Sequence, residues 1–286
     1  MNKVHDDTDF QFDFDPRKVL NDPHRALSLT IKRIIETLAS VIMVIVLSPI
    51  LLAVALAVKI TSPGGLFYKQ KRVGLGGREF DIIKFRTMQE GADRCGPAVT
   101  ASGDPRITPI GVFLRKSKLD EVPQLFNVIR GDMSLVGPRP QVPKFVNHFD
   151  ARYKELVLSV RPGVTGPTSL CFRNEEQMLA HVDNQEAYYI ARILPMKLEM
   201  DAWYVCNRSM ATDAAIIGVT VWLLYSPYLT AWLNKLGPSS NNQQVSEARE
   251  ARNAASFARM LDRFLPSYLL SQPAGLLVVR DEQRAA

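Results

Sequence analysis

Apolar residues along this chain gather in two long runs rather than alternating evenly. The first, Leu38 to Val58, holds 21 residues without a charge. As a helix it is about 32 Å long, enough for the ~30 Å hydrocarbon core of a bilayer. Ser48-Pro49 falls at its middle, so each limb is only half that length. Pro49 removes a helix hydrogen bond and favours a kink, and the Ser48 hydroxyl can satisfy a freed backbone group. Both flanks are basic: Arg25, Lys32 and Arg33 before the run, Lys59, Lys69, Lys71 and Arg72 after it. Basic flanks stay on the cytoplasmic side. The pattern therefore predicts a re-entrant membrane hairpin over residues 31–60, a helix-break-helix that enters and leaves one leaflet. A simple kinked span is the alternative.

The second uncharged run, Ala214 to Asn234, carries Trp222, Tyr225, Tyr228 and Trp232 on or near one side, with Ser226-Pro227 inside it. Aromatic rings with polar tips favour the headgroup zone, which predicts an interfacial amphipathic helix over 214–234. A second span is the rival. Between the runs, LFYKQKRV and REFDIIKF flank GLGG and predict a short β-hairpin. Residues 91–109 read as loop, and Ile110 to Arg130 as helical around Pro123. Gly131 to Pro143 reads as a shaped Gly/Pro loop and Lys144 to Leu158 as helix. Arg161 to Pro167 is turn-rich, and Glu175 to Asn207 reads as helix with breaks near Asp183 and Pro195. After Gly237 the chain is a polar linker and tail, with one short helical pattern in SFARMLDRFLPSYLL.

Composition narrows the chemistry. Of 286 residues, 47% are hydrophobic and 22% charged, which supports a packed core and excludes wholesale disorder. The net charge of +6 favours anionic partners: phosphates, nucleic acid or an acidic membrane face. Three scattered cysteines without a CxxC exclude a disulfide scaffold and a four-cysteine zinc site. The four histidines form no HExxH, no GxSxG is present, and GLGG lacks the rest of a nucleotide loop.

What remains is the stretch Arg115 to Pro140, RKSKLDEVPQLFNVIRGDMSLVGPRP. Adjacent carboxylates Asp120 and Glu121 stand just before Pro123, which marks a helix start at about Asp120 to Val122. Leu125, Phe126, Val128 and Ile129 give it an apolar face, and Gly131 ends it. The plain role for such carboxylates is capping and complementing the helix dipole. The density of cations nearby, Arg115, Lys116, Lys118 and Arg139, argues for more. An ionised carboxylate among phosphate-binding cations is what attack on phosphorus requires, and it would also hold Mg²⁺.

Several segments resemble the bacterial sugar transferase family, the small monotopic phosphoglycosyl transferases that act on polyprenyl phosphate. They are Ser48-Pro49 inside the apolar run, FYKQKRVG, KFRTM (Lys84 to Met88), DPRITPIGVFLRKSKLDEVPQLFNVIRGDMSLVGPRP and RPGVTG. The resemblance implies a catalytic Asp120–Glu121 dyad with Mg²⁺ at Asp120, and a Ser48-Pro49 hairpin that dips into the cytoplasmic leaflet. It puts the family's cationic motif positions on Lys84, Arg115 and Arg139, and these with Arg161 are the candidate phosphate or substrate ligands. After RPGVTG this chain continues PTSLCFRNEE, another branch than the WAQVNGRN-like stretch of many members, which leaves the sugar open.

The expected fold is α+β and mainly helical: an N-terminal tail (1–30), the membrane hairpin (31–60), a catalytic domain (61–236) and a polar tail (237–286). The expected reaction moves a sugar-1-phosphate from a UDP-sugar to polyprenyl phosphate at the cytoplasmic face of a bacterial inner membrane. Membrane lipids are partners, downstream glycosyltransferases follow, and nucleic acid is not a ligand. A non-catalytic, membrane-anchored scaffold or lipid-binding protein is the rival, and it predicts a dispensable dyad.

Overall fold

A computed structural model of the chain describes residues 19–20, 25–92, 104–173, 175–179 and 182–236. The predicted tail helix, Cys95 and most of the N-terminal tail lie outside them. The fold is mainly helical with two small sheets.

The first apolar run forms α1, Arg25–Thr61, with Pro49 inside it. Among the described residues it is the one helix long and apolar enough to cross a membrane. Helical structure continues across Pro49, so the expected break is not a gap in the helix. The reason is local. A residue at position 49 would normally donate to the Ile45 carbonyl, and proline cannot. The Ser48 hydroxyl donates to that carbonyl instead, at 2.7 Å.

Burial along α1 is uneven. Lys32, Glu36 and Ser40 are buried on one face at its start, and Val54 and Val58 near its end. None of residues 41–53 is buried, and Ile42, Ile45, Val46 and Leu52 are exposed. The start is seated on polar groups. Lys32 donates to the Val136 carbonyl at 2.9 Å and pairs with Glu36 and Asp213. Glu36 accepts from Ser134 Oγ at 2.5 Å, and Arg33 donates to the Ile129 carbonyl at 3.0 Å. The end is seated on apolar ones: Val54 and Val58 pack with Phe85 and Leu114. Both ends thus rest on one domain.

The expected hairpin forms. β1 (Phe67–Val73) pairs antiparallel with β2 (Glu79–Phe85), Phe67 opposite Phe85 and Val73 opposite Glu79. Its connection turns through Gly76 and Gly77, at φ 65° and 78°, a region L side chains avoid. Next come α2 (Pro109–Ser117), a 3₁₀ turn (Leu119–Glu121) and α3 (Gln124–Arg130). The start expected at Asp120 is therefore the 3₁₀ turn, with the α-helix opening after Pro123.

Two stretches expected as loops each hold a short strand: β3 (Ser134–Val136) and β4 (Gly163–Thr165), paired in parallel. Three-residue strands are too short to show alternation. Their close approach needs glycine, since a Cβ on Gly163 would lie 2.1 Å from the Gly137 nitrogen. The helix expected from Lys144 to Leu158 is two pieces, α4 (Pro143–Val146) and α5 (Ala151–Val157). Asp150 restarts it by accepting from the Arg152 N–H at 2.8 Å.

Beyond β4 lie α6 (Pro167–Cys171), α7 (Glu175–Leu179) and α8 (Gln185–Tyr188), then a π-helical turn (Tyr189–Ile193) and α9 (Leu194–Asn207). Pro195 is no break; it occupies the first turn of α9, where a missing N–H costs nothing. The second apolar run forms α10, Met210–Leu236, continuous across Pro227. Its first half is a core helix before it is anything else. Ile216 and Val219 are buried beside Leu156, Ile193, Leu198 and Tyr204. Thr220 bonds Thr165 at 2.8 Å. Val221, Trp222 and Tyr225 are exposed on its outer side.

Candidate active site

The dyad is placed by a turn of unusual geometry. α2 opens with Thr108, whose hydroxyl accepts from the Gly111 N–H at 3.1 Å, and closes at Lys118. Lys118 has φ 58°, the one positive φ outside glycine among the described residues. A lysine in that region costs on the order of 1–3 kcal/mol, held by the packing on either side. The reversal it makes sets Asp120 and Glu121 at the start of the next helical turn, above β2.

Asn127 locks that turn to the sheet. Its Oδ1 accepts from the Ile83 N–H at 3.0 Å, and its Nδ2 donates to the Asp81 carbonyl at 2.8 Å. The side chain thus imitates a peptide and bonds β2 as a strand would. Lys84, next on β2, is thereby brought under Glu121. Glu121 Oε1 accepts from Lys84 Nζ at 2.7 Å and from Arg139 Nη2 at 2.9 Å.

The two carboxylates of the dyad sit in opposite environments. Burial would push Glu121 up, but Arg139, then Lys84 and Lys118, outweigh it and hold the carboxyl well below its usual range. Asp120 is pushed up to about 6, by burial first and the neighbouring Glu121 second, against Lys84, Lys118 and Arg115. Its Oδ1 is buried with no hydrogen-bond partner among the described residues. One carboxylate is locked as an anion that orients two cations; the other is bare and poised near neutrality. Burial lowers Lys84, with Glu121 opposing. Arg139 is raised, first by Glu121.

Of the other residues singled out in the sequence, Arg115 stands beside the dyad without bonding it. Its Nε donates to Thr87 Oγ1 at 3.0 Å and its Nη1 to Glu176 Oε1 at 2.9 Å. Arg161 is not brought to the dyad. Its Nε donates to the Gly131 carbonyl at 2.8 Å, at the far end of α3. Ser48 and Pro49 lie on the exposed middle of α1.

A second buried network adjoins Arg139, and the sequence reading missed it. Arg72 Nη1 donates to the Pro140 carbonyl at 3.0 Å. Lys197 Nζ donates to Glu175 Oε2 at 2.6 Å and lies 5.2 Å and 4.9 Å from the ring centroids of Phe172 and Tyr189. Tyr189 donates to Gln141 Oε1 at 2.9 Å. Thr168 donates to Asp201, whose carboxyl burial pushes up to about 7, against Thr168, Lys197 and the Arg139 backbone. The available signal was Lys197 and Asp201, spaced one turn apart within a largely apolar helix.

For a metal, no group of three or more His, Cys, Asp or Glu stands together among the described residues. The Asp120 carboxylate has capacity to spare, while Glu121 is committed to Lys84 and Arg139. That set fits Mg²⁺, which needs only one or two carboxylates and fills its remaining positions with phosphate oxygens and water.

The chain matches the bacterial sugar transferase family over residues 27–226, and it belongs to that family. It is 37% identical over 196 residues to a UDP-N-acetylgalactosamine-undecaprenyl-phosphate N-acetylgalactosaminephosphotransferase of Aeromonas hydrophila, covering 67% of this chain and 43% of that protein. It is 44% identical over 137 residues to a UDP-glucose:undecaprenyl-phosphate glucose-1-phosphate transferase of Caulobacter vibrioides, covering 47% of this chain and 51% of that one. With the exopolysaccharide production protein ExoY of Sinorhizobium fredii it shares 36% over 205 residues, 66% of this chain and 83% of the relative. The chain thus spans about half the length of the first two relatives.

Proposed function

We propose that this protein is a phosphoglycosyl transferase that moves a sugar-1-phosphate from a UDP-sugar to polyprenyl phosphate, releasing UMP. The observation that carries the proposal is the unequal dyad: Glu121 is saturated by Lys84 and Arg139, while Asp120 beside it is buried and unpartnered.

In the first step an Asp120 oxygen attacks the β-phosphorus of the UDP-sugar. An oxygen–phosphorus bond forms and the bond to the bridging oxygen breaks, so UMP leaves and a sugar-phosphoryl-aspartate remains. In the second step a phosphate oxygen of the lipid attacks the same phosphorus and frees Asp120. The product is a polyprenyl-diphosphate sugar. A carboxyl raised to about 6 is mostly ionised at neutral pH and more nucleophilic than one at its ordinary value of 3.8. Arg139 offers a guanidinium fork and Lys84 an ammonium to the phosphoryl oxygens, both held in place by Glu121. Arg115, fixed by Thr87 and Glu176, adds positive potential. Mg²⁺, when bound at the Asp120 carboxylate and the diphosphate, supplies charge neutralisation of the leaving phosphate.

The membrane end follows the same logic. Both ends of α1 are seated on the catalytic domain, and the apolar residues 41–53 between them are not buried. A helix that crossed the bilayer would carry one end to the opposite face, away from the domain. Docking at both ends supports a hairpin dipping into the cytoplasmic leaflet of the inner membrane, with the site at headgroup height. The exposed outer side of α10, with Trp222 and Tyr225, suits the same interface. The product would start a surface glycan, such as an exopolysaccharide, for downstream glycosyltransferases to extend.

The test is purified protein in detergent with undecaprenyl phosphate, Mg²⁺ and a panel of UDP-sugars, read as UMP release. Release from at least one sugar, dependent on lipid phosphate for multiple turnovers, supports the reading; silence with the whole panel overturns it. For the hairpin, Asn2→Cys and Ser240→Cys in a cysteine-free background should both resist an impermeant thiol reagent until cells are lysed.

A further inference from the structure

One buried donor in the site, on Gln124, plays no part in the chemistry above. Gln124 is 1% exposed, and its Nε2 has no hydrogen-bond partner among the described residues. Asp120 Oδ1 is buried and unpartnered as well. One group is a donor and the other an acceptor. They stand four residues apart on a backbone that stays right-handed. Asp120 is in the 3₁₀ turn, Val122 and Pro123 keep helical φ/ψ, and Gln124 opens α3. Side chains at that spacing share a face, one turn apart. Buried polar groups without partners are rare, because each has given up its hydrogen bond to water. Two of complementary type on one face form an unfinished pair. Catalytic hydrogen bonds are often open in a ligand-free site and close when the ligand is bound.

We infer that Gln124 is a positioning residue for Asp120: its amide N–H donates to Oδ1 and so aims the outer carboxylate oxygen at phosphorus. The inference rests on the reading of Asp120 as the nucleophile. Asp120 keeps 7% exposure while Oδ1 is hidden, so the carboxylate has an outer edge and an inner oxygen. A carboxylate has about four lone-pair sites, so one amide bond leaves the outer oxygen free to attack. Glu121, Lys84, Lys118 and Arg115 act on Asp120 through space, and Oδ1 takes a hydrogen bond from none of them. Gln124 is not needed to start α3, because the Leu125 and Phe126 N–H groups already bond the Val122 and Pro123 carbonyls.

Two variants separate this role from packing. Gln124→Met keeps the volume and removes the donor. Gln124→Glu keeps the shape and sets an oxygen where the nitrogen was. They are compared, as the full chain in detergent, with wild type and Asp120→Asn on undecaprenyl phosphate and a UDP-sugar that wild type turns over. Gln124→Met should lower kcat about 10²-fold at an unchanged KM for the UDP-sugar. Gln124→Glu, assayed at about pH 9 so that the new buried carboxyl is ionised, should fall further, since an oxygen then faces an oxygen. Without ligand, the Met variant should melt at or above the wild-type temperature, because an unsatisfied buried group is gone. Wild-type kcat in either variant overturns the inference. So does a higher KM at unchanged kcat, which makes Gln124 a ligand contact, and so does a joint fall of kcat and melting temperature in both variants, which makes it a packing residue. If Met fails to fold, Glu decides. Full activity in Asp120→Asn, or no UMP from any UDP-sugar, removes the nucleophile itself and the inference with it; a loss confined to the Gln124 variants cannot be confused with that result.

Discussion

At the root of α1, Lys32 is met by the Val136 carbonyl, Glu36 and Asp213. Glu36 takes Ser134 and the Val136 N–H as well, and Tyr204 donates to Asp213 at 2.6 Å. Every charge there is answered by another charge or a fixed dipole. Around Glu121 the same materials end differently. Glu121, Lys84 and Arg139 answer one another, yet Asp120 Oδ1 and Gln124 Nε2 are left bare. A buried charge network that only holds a fold does best when closed, since each open group forfeits hydration for nothing. In the function proposed above, this opening is where the substrate completes the network.

The contrast can be broken from either side. On the open side, Arg139→Ala should lower kcat about 10²- to 10³-fold, because a phosphoryl-oxygen donor is lost. Arg139→Lys should recover part of that but not all, since an ammonium lacks the fork. Steady-state UMP release measures both, and wild-type rates in both would reduce Arg139 to a loop-shaping residue. On the closed side, Lys32→Met leaves Glu36 and Asp213 buried without their cation. The expected cost is about 3–5 kcal/mol of stability, seen as a lower melting temperature and poor yield. A variant that melts like wild type would show that the root of α1 is not a stability anchor.

A smaller effect is expected at Asp201. Its carboxyl is pushed up to about 7 in the fold from an ordinary 3.8, chiefly by burial. The folded state therefore holds an extra proton between those values. The contribution of Asp201 to stability should fall as pH rises from about 4 to about 7 and then level off. Asp201→Asn cannot titrate and should lack that share of the fall, so melting curves of the two proteins diverge as pH rises. Parallel curves would contradict the assignment. The smallest effect is Glu176→Ala. Glu176 is 47% exposed at its side chain, and its pair with Arg115 should contribute no more than about 1 kcal/mol.

Much of the site was legible because its signals are local. Pro123 and Gly131 bracket α3, and Gly131 does close it at φ 99°. The dyad stands close in the chain to Arg115, Lys118 and Arg139, while Lys84, 37 positions from Glu121, was suggested only by the family resemblance. The hairpin showed in its two strands and GLGG. What escaped was set by distant partners. Asn127 reads as a polar residue in a short helix, and only the packed β2 turns it into a sheet bond. Lys32 and Asp213 are 181 positions apart, so their pairing leaves no mark in either segment. Nor could the sequence place Arg161, a candidate phosphate ligand in a turn-rich loop, at the Gly131 carbonyl to which its Nε donates. The pattern over 214–234 suggested an interfacial helix, since a run of apolar residues cannot show that Ile216 and Val219 face a core.

The central claim is that Asp120 becomes covalently attached to the sugar phosphate. The direct measurement is to incubate the full chain with a UDP-sugar labelled at the β-phosphorus, Mg²⁺ and no lipid acceptor, then quench and locate the label. The account predicts one labelled adduct per active site, carried on Asp120, released on adding undecaprenyl phosphate and absent from Asp120→Asn. Turnover with no protein-bound label in the quenched sample, label on another residue, or an active Asp120→Asn would contradict it.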